Sequence, residues 1–130
     1  DSYQLYDLSS RDVELFVSSN YIDAGIKAEL EKLIDLKVKI AKAEGRVEAL
    51  EKEAEEISDD QKRLRDNIST LKNTSEAKQL VARYIAKASE QETRLETIAK
   101  EKRELQTEVS RLTGELGAAV RALNIERKLN

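Results

Sequence analysis

Eleven residues between Leu36 and Leu71 follow one another in strictly alternating steps of four and three: Leu36, Ile40, Ala43, Val47, Leu50, Ala54, Ile57, Gln61, Leu64, Ile68 and Leu71. Ten of the eleven are apolar. A mean spacing of 3.5 residues keeps one narrow stripe of a helix facing a partner helix, so this stretch reads as a coiled-coil seam. The pattern extends backward less regularly through Leu33, Leu30 and Ile26. A second seam follows without a skipped step: Ala77, Val81, Tyr84, Ala88, Gln91, Leu95, Ile98, Lys102, Leu105, Val109, Leu112, Leu116, Ala119 and Leu123. Only Gln91 and Lys102 break its apolar character.

The heptad phase fails between the seams, at Lys72-Asn73-Thr74-Ser75, where Asn73 followed by Glu76 resembles a capping box with Asn in the capping place. A turn is expected there. The sequence therefore predicts an all-α chain: a long antiparallel two-helix coiled-coil hairpin over 24–130, with a helix over about 24–72, a turn at 73–75 and a helix over about 76–127. Asp23 supplies the first N-cap. Residues 1–23 form a lead-in. Within it Tyr3 to Leu8 is loosely alternating, and a short helix over about 10–19 is capped by Ser9 and Ser10, carries Asp12 and Glu14 in its first turn and presents Val13, Phe16 and Val17.

One alternative is a continuous helix from Ala24 to about Arg127 that dimerises in parallel. Lys102 argues against it, because a parallel pair sets that ammonium against its own copy inside the seam. If the chain folds back instead, Leu64 meets Tyr84, Ile57 meets Gln91 and Val47 meets Lys102. Lys102 then reaches past Val47 toward Glu44, Glu48 or Glu51. Gln61 and Gln91 fall about one turn apart, either bonded to each other or standing at the seam's edge. Toward the open end Ile34, Val38, Ala41, Ala118, Val120, Ala122 and Ile125 widen the apolar stripe, and Gly25, Gly114 and Gly117 shorten the side-chain layer. The short N-terminal helix is expected to pack there, with small residues permitting close approach.

Composition narrows the function. The chain has 38% charged residues, 4% aromatic residues, four Gly and no Pro, which favours an elongated helical body over a rounded core. With neither His nor Cys, imidazole acid–base chemistry, thiolate nucleophiles and the commonest zinc ligands are excluded. The glycines are scattered, so no phosphate-binding loop is present. Acidic pairs such as Glu55-Glu56 and Asp59-Asp60 sit where a solvated helix surface is expected. The tripeptides Asn67-Ile-Ser69 and Asn73-Thr-Ser75 match the glycosylation sequon, a pattern short enough to arise by chance. The chain is thus read as not an enzyme and as needing no cofactor or metal. No apolar run approaches the roughly 20 residues of a membrane span. The sequence opens at Asp1 and contains no Met, and a longer parent protein is expected.

Charge is uneven. From Gln61 to Lys87 seven basic residues (Lys62, Arg63, Arg65, Lys72, Lys78, Arg83 and Lys87) stand against Asp66 and Glu76, a net of +5 in a chain whose total is −3. This basic turn end is the candidate binding surface, suited to a polyanion such as nucleic acid or anionic lipid. The acidic remainder disfavours extended nucleic-acid contact. Tyr84 belongs to the seam rather than to a base-stacking platform.

Two stretches, Asp60-Gln-Lys-Arg-Leu-Arg-Asp-Asn67 and Arg83-Tyr84 with Gln91-Glu92 and Arg94-Leu95, together with the lead-in Leu8 to Ser19, resemble the C-terminal coiled-coil segment of a bacterial group of uncharacterised, exported proteins with a β-rich body upstream. The resemblance implies an upstream domain and a bacterial envelope or exported location, and it brings no catalytic residues. A projecting helical hairpin is also similar in shape to the tRNA-binding arm of seryl-tRNA synthetases. The function expected from the sequence is a structural or protein-interaction module, a stiff spacer of about 70 Å by helix rise. Its partner is an upstream domain of the same protein or another protein, and it is a monomer or weak dimer.

Overall fold

The computed structural model describes residues 24–71 and 74–129. They form two helices, α1 (Ala24–Leu71, 48 residues) and α2 (Lys78–Leu129, 52 residues), and no strand occurs among the described residues. The all-α class holds. The predicted lead-in helix and the Asn73 cap lie outside the described residues, as does Lys72.

Long uninterrupted helix follows from a sequence with no Pro and with Ala, Glu, Lys, Leu and Arg filling the positions between seam residues. Thr74 closes α1 by placing both its backbone N–H (3.1 Å) and its hydroxyl (3.0 Å) on the carbonyl of Leu71. A looser turn follows, in which Lys78 N–H donates to Ser75 C=O (3.4 Å) and Val81 N–H to Ala77 C=O (2.8 Å). Helix α2 therefore begins at Lys78, two residues later than the seam predicts. Among the described residues of the turn, Thr74, Ser75 and Ala77 make backbone bonds, and none is Gly or Pro.

The chain divides into two compact units. Of the described residues, the first comprises 24–45 and 106–129. Its core is Leu30, Leu33 and Leu36 of α1 packed with Leu112, Leu116, Ala119, Val120 and Leu123 of α2, flanked by Ile26, Ile34 and Ile40. Burying a Leu or Val fully is worth about 1.5–3 kcal/mol by area, so this cluster dominates the unit's stability. The second unit, Arg46–Leu105, is thinner. Among its described residues only Leu50, Leu64 and Ile98 are buried apolar side chains.

Both seams are used as predicted: every residue of each is buried or half-buried. The short helix expected to pack over Gly25, Gly114 and Gly117 lies outside the described residues, and a Cβ added at Gly114 or at Gly45 meets nothing within 4 Å. Both glycines carry only the entropic penalty of mid-helix Gly. Gly45→Ala and Gly114→Ala are each expected to raise stability by about 0.5–1 kcal/mol in chemical denaturation, additively.

Candidate interaction surface at the turn end

The second unit carries a regular arrangement of charge on one flank of its seam. Arg46, Glu53 and Asp60 each immediately precede a seam residue of α1, seven residues apart. Their partners are Glu101, Arg94 and Lys87, which precede seam residues of α2 at the same interval in the opposite direction. Seven residues up one helix match seven down the other, which is the geometry of antiparallel helices. Arg46 meets Glu101 with two N–H donors at 3.0 and 3.3 Å. Arg94 grips Glu53 likewise, at 2.6 and 2.8 Å. Lys87 Nζ lies 3.4 Å from Asp60 Oδ2.

Polar seam residues join this network rather than each other. Gln61 Nε2 donates to Glu92 (2.7 Å) and Gln91 Nε2 to Asp60 (2.6 Å). Of the two readings of Gln61 and Gln91, the mutual bond is not formed: two amide–carboxylate bonds take its place, stronger because one partner is ionised. The cost is Gln91 Oε1, which is buried without a partner. Lys102 pairs with Glu51 at 3.7 Å, one of the three acids expected for it.

Asp60 is the busiest carboxylate of the unit. It also accepts a bond from Arg63 Nε on its own helix at 2.8 Å. The Arg63 bond first and the Gln91 bond second hold its carboxyl at about 2, below an ordinary 3.8. Glu53 is lowered in the same sense, chiefly by its hydrogen bond from Arg94.

These contacts divide the predicted basic surface. Arg63 and Lys87 are committed to Asp60. Counting from Asp60 rather than Gln61 lowers the net charge to +4, seven cations against Asp60, Asp66 and Glu76. Lys62, Arg65, Lys78 and Arg83 remain, all exposed. Tyr84 is half-buried in the seam, as expected. Two large apolar residues stand exposed among these cations, Leu80 and Ile85, the latter 54% accessible. Neither is a seam residue, and on a solvated flank the 3.5 period predicts nothing about them. Arg65, Lys78 and Ile85 each immediately follow a seam residue, which puts them together on the flank opposite the charge ladder.

Among the described residues no group of three or more His, Cys, Asp or Glu side chains is placed to hold a metal ion, and no helix is long and apolar enough to cross a membrane. Compared with family models, curated proteins and solved structures, the chain matches none.

Proposed function

We propose that this chain is a structural or protein-interaction module, a helical-hairpin spacer that holds an upstream domain or another protein at a distance and performs no catalysis. The observation that carries the reading is the charge ladder of the second unit. Three cross-helix ion pairs at seven-residue intervals add little free energy individually, but together they select one register and one orientation from the many that two regular seams allow. Sliding α2 by seven residues one way sets Arg46 against Arg94, and sliding it the other way sets Glu53 against Glu101. A pair of helices held to a single alignment suits a part whose task is to keep its ends at a fixed separation. A place in a larger bacterial envelope protein accords with this role.

The test is a distance distribution from spin labels at Lys52 and Ser75, both in the second unit, with a second pair at Val47 and Lys102. A spacer gives one narrow Lys52–Ser75 distribution, and a short Val47–Lys102 distance that survives dilution with unlabelled protein. A broad or multimodal Lys52–Ser75 distribution would overturn the spacer reading. A Val47–Lys102 distance lost on dilution would overturn the single-chain hairpin.

A further inference from the structure

The turn end combines two features that the charge ladder does not use: cations outside its ion pairs and exposed aliphatic side chains. Among the described residues Lys62, Arg65, Lys78 and Arg83 make no ion pair, whereas Arg63 and Lys87 are already held by Asp60. Ile85 is exposed on the flank that carries Arg65 and Lys78, and Leu80 is exposed on the opposite flank.

We propose that the flank of this end carrying Arg65, Lys78 and Ile85 docks on an anionic lipid surface, with Arg65 and Lys78 on headgroup phosphates, Lys62 and Arg83 adding to the attraction from neighbouring positions, and Ile85 entering the boundary between the headgroups. Charge complementarity selects the sign of the partner, and the aliphatic residues select its kind. A single-stranded nucleic-acid site pairs its cations with aromatic faces on which bases stack. Here the one aromatic residue of the end, Tyr84, is packed in the seam, and the exposed apolar groups are branched aliphatics that suit acyl chains. The cations lie on both helices and on several faces, so they do not converge on one small ion as a phosphate pocket would. They suit a diffuse, laterally mobile layer of charge, in which long Lys and Arg side chains reach upward while their methylene stems stay in the boundary. Asp66 and Glu76 reduce this attraction without cancelling it. The proposal does not depend on the spacer reading, since failure to bind lipid leaves the label distances unchanged.

The experiment is co-sedimentation of the full chain with phosphatidylcholine vesicles, with and without phosphatidylglycerol, at low and moderate salt. Alongside it run the triple variant Arg65→Glu, Lys78→Glu, Arg83→Glu and the single variant Ile85→Asn, each verified as helical by circular dichroism. Binding is expected only to the phosphatidylglycerol vesicles, weakening with salt, at least about a hundredfold weaker in the triple variant. Ile85→Asn is expected to lower affinity severalfold and to leave a steeper salt dependence. Four results would overturn the proposal: no binding by the wild-type chain, equal binding to both vesicle types, an affinity unaffected by Ile85→Asn, or tighter binding to single-stranded RNA or duplex DNA than to the anionic vesicles. Displacement from vesicles by inorganic phosphate at constant ionic strength would equally overturn it, in favour of a simple anion site.

Discussion

Leu50→Ala is expected to lower the unfolding free energy by about 2–5 kcal/mol, a large share of the roughly 5–15 kcal/mol available to a chain of this size. Leu50 is 0% exposed, and among the described residues of the second unit only Leu64 matches it, with Ile98 next at 3%. Two helices surround such a side chain with few neighbours that can move into the space it leaves. The loss therefore includes the transfer of its methyl groups and the cavity they vacate. Urea denaturation measures it. Val38→Ala serves as the control, because Val38 is 58% exposed and its truncation is expected to change stability by less than about 0.5 kcal/mol. Similar losses from the two variants would mean that Leu50 is not enclosed as described.

Inverting one side of the ladder should have the next largest effect. The triple variant Arg46→Glu, Glu53→Arg, Asp60→Lys confronts Glu101, Arg94 and Lys87 with like charge at three successive heptads. Its thermal midpoint is expected to fall by several times the change from any single reversal. Adding Glu101→Arg, Arg94→Glu and Lys87→Asp should restore most of it, and rescue is what separates register selection from general surface charge. Acid titration probes the same contacts. Asp60 protonates at about 2 in the folded chain against an ordinary 3.8, so between those values the unfolded chain binds more protons than the folded one. The stability it contributes is complete above that window and is lost as the pH falls through it. Glu53 and Glu108 act in the same direction, lowered by their bonds from Arg94 and Arg111. Asp60→Asn should flatten the fall in thermal midpoint between about pH 4 and 2, and an unchanged profile would show that the Asp60 contacts do not persist in solution.

Periodicity exposes the seams because a stripe that recurs every 3.5 residues is set by helix geometry alone, whatever the partner. Hence Leu36 to Leu71 and Ala77 to Leu123 were legible before any partner was known. The ladder was not, although its residues are plain in the sequence. The pairing of Glu53 with Arg94 has meaning only once the turn is placed, since charges on a flank report a contact and not a fold. Once Asp60 and Lys87 are recognised as the residues preceding Gln61 and Ala88, the seven-residue step finds the remaining pairs. Of the two readings open for Gln61 and Gln91, the mutual bond gives way because carboxylates one residue away, Asp60 and Glu92, accept a stronger bond. The same contacts bear on the basic surface: Asp60, one residue before Gln61, holds Arg63 and Lys87, and a charge count that starts at Gln61 leaves it out. Ile85 and Leu80 went unremarked because neither falls on a seam, and an exposed aliphatic acquires significance only beside unpaired cations.

The opposed seven-residue steps of Arg46, Glu53 and Asp60 against Glu101, Arg94 and Lys87 also restrict how descendants of this chain could change in length. Adding or deleting a stretch in one arm alone would throw every pair beyond it out of alignment and turn apolar stripes toward water. Viable relatives should therefore differ by matched insertions or deletions, whole heptads taken from both arms at equal distance from the turn. Such paired length polymorphism, two gaps that always occur together, is the trace this hairpin should leave in an aligned set of related sequences.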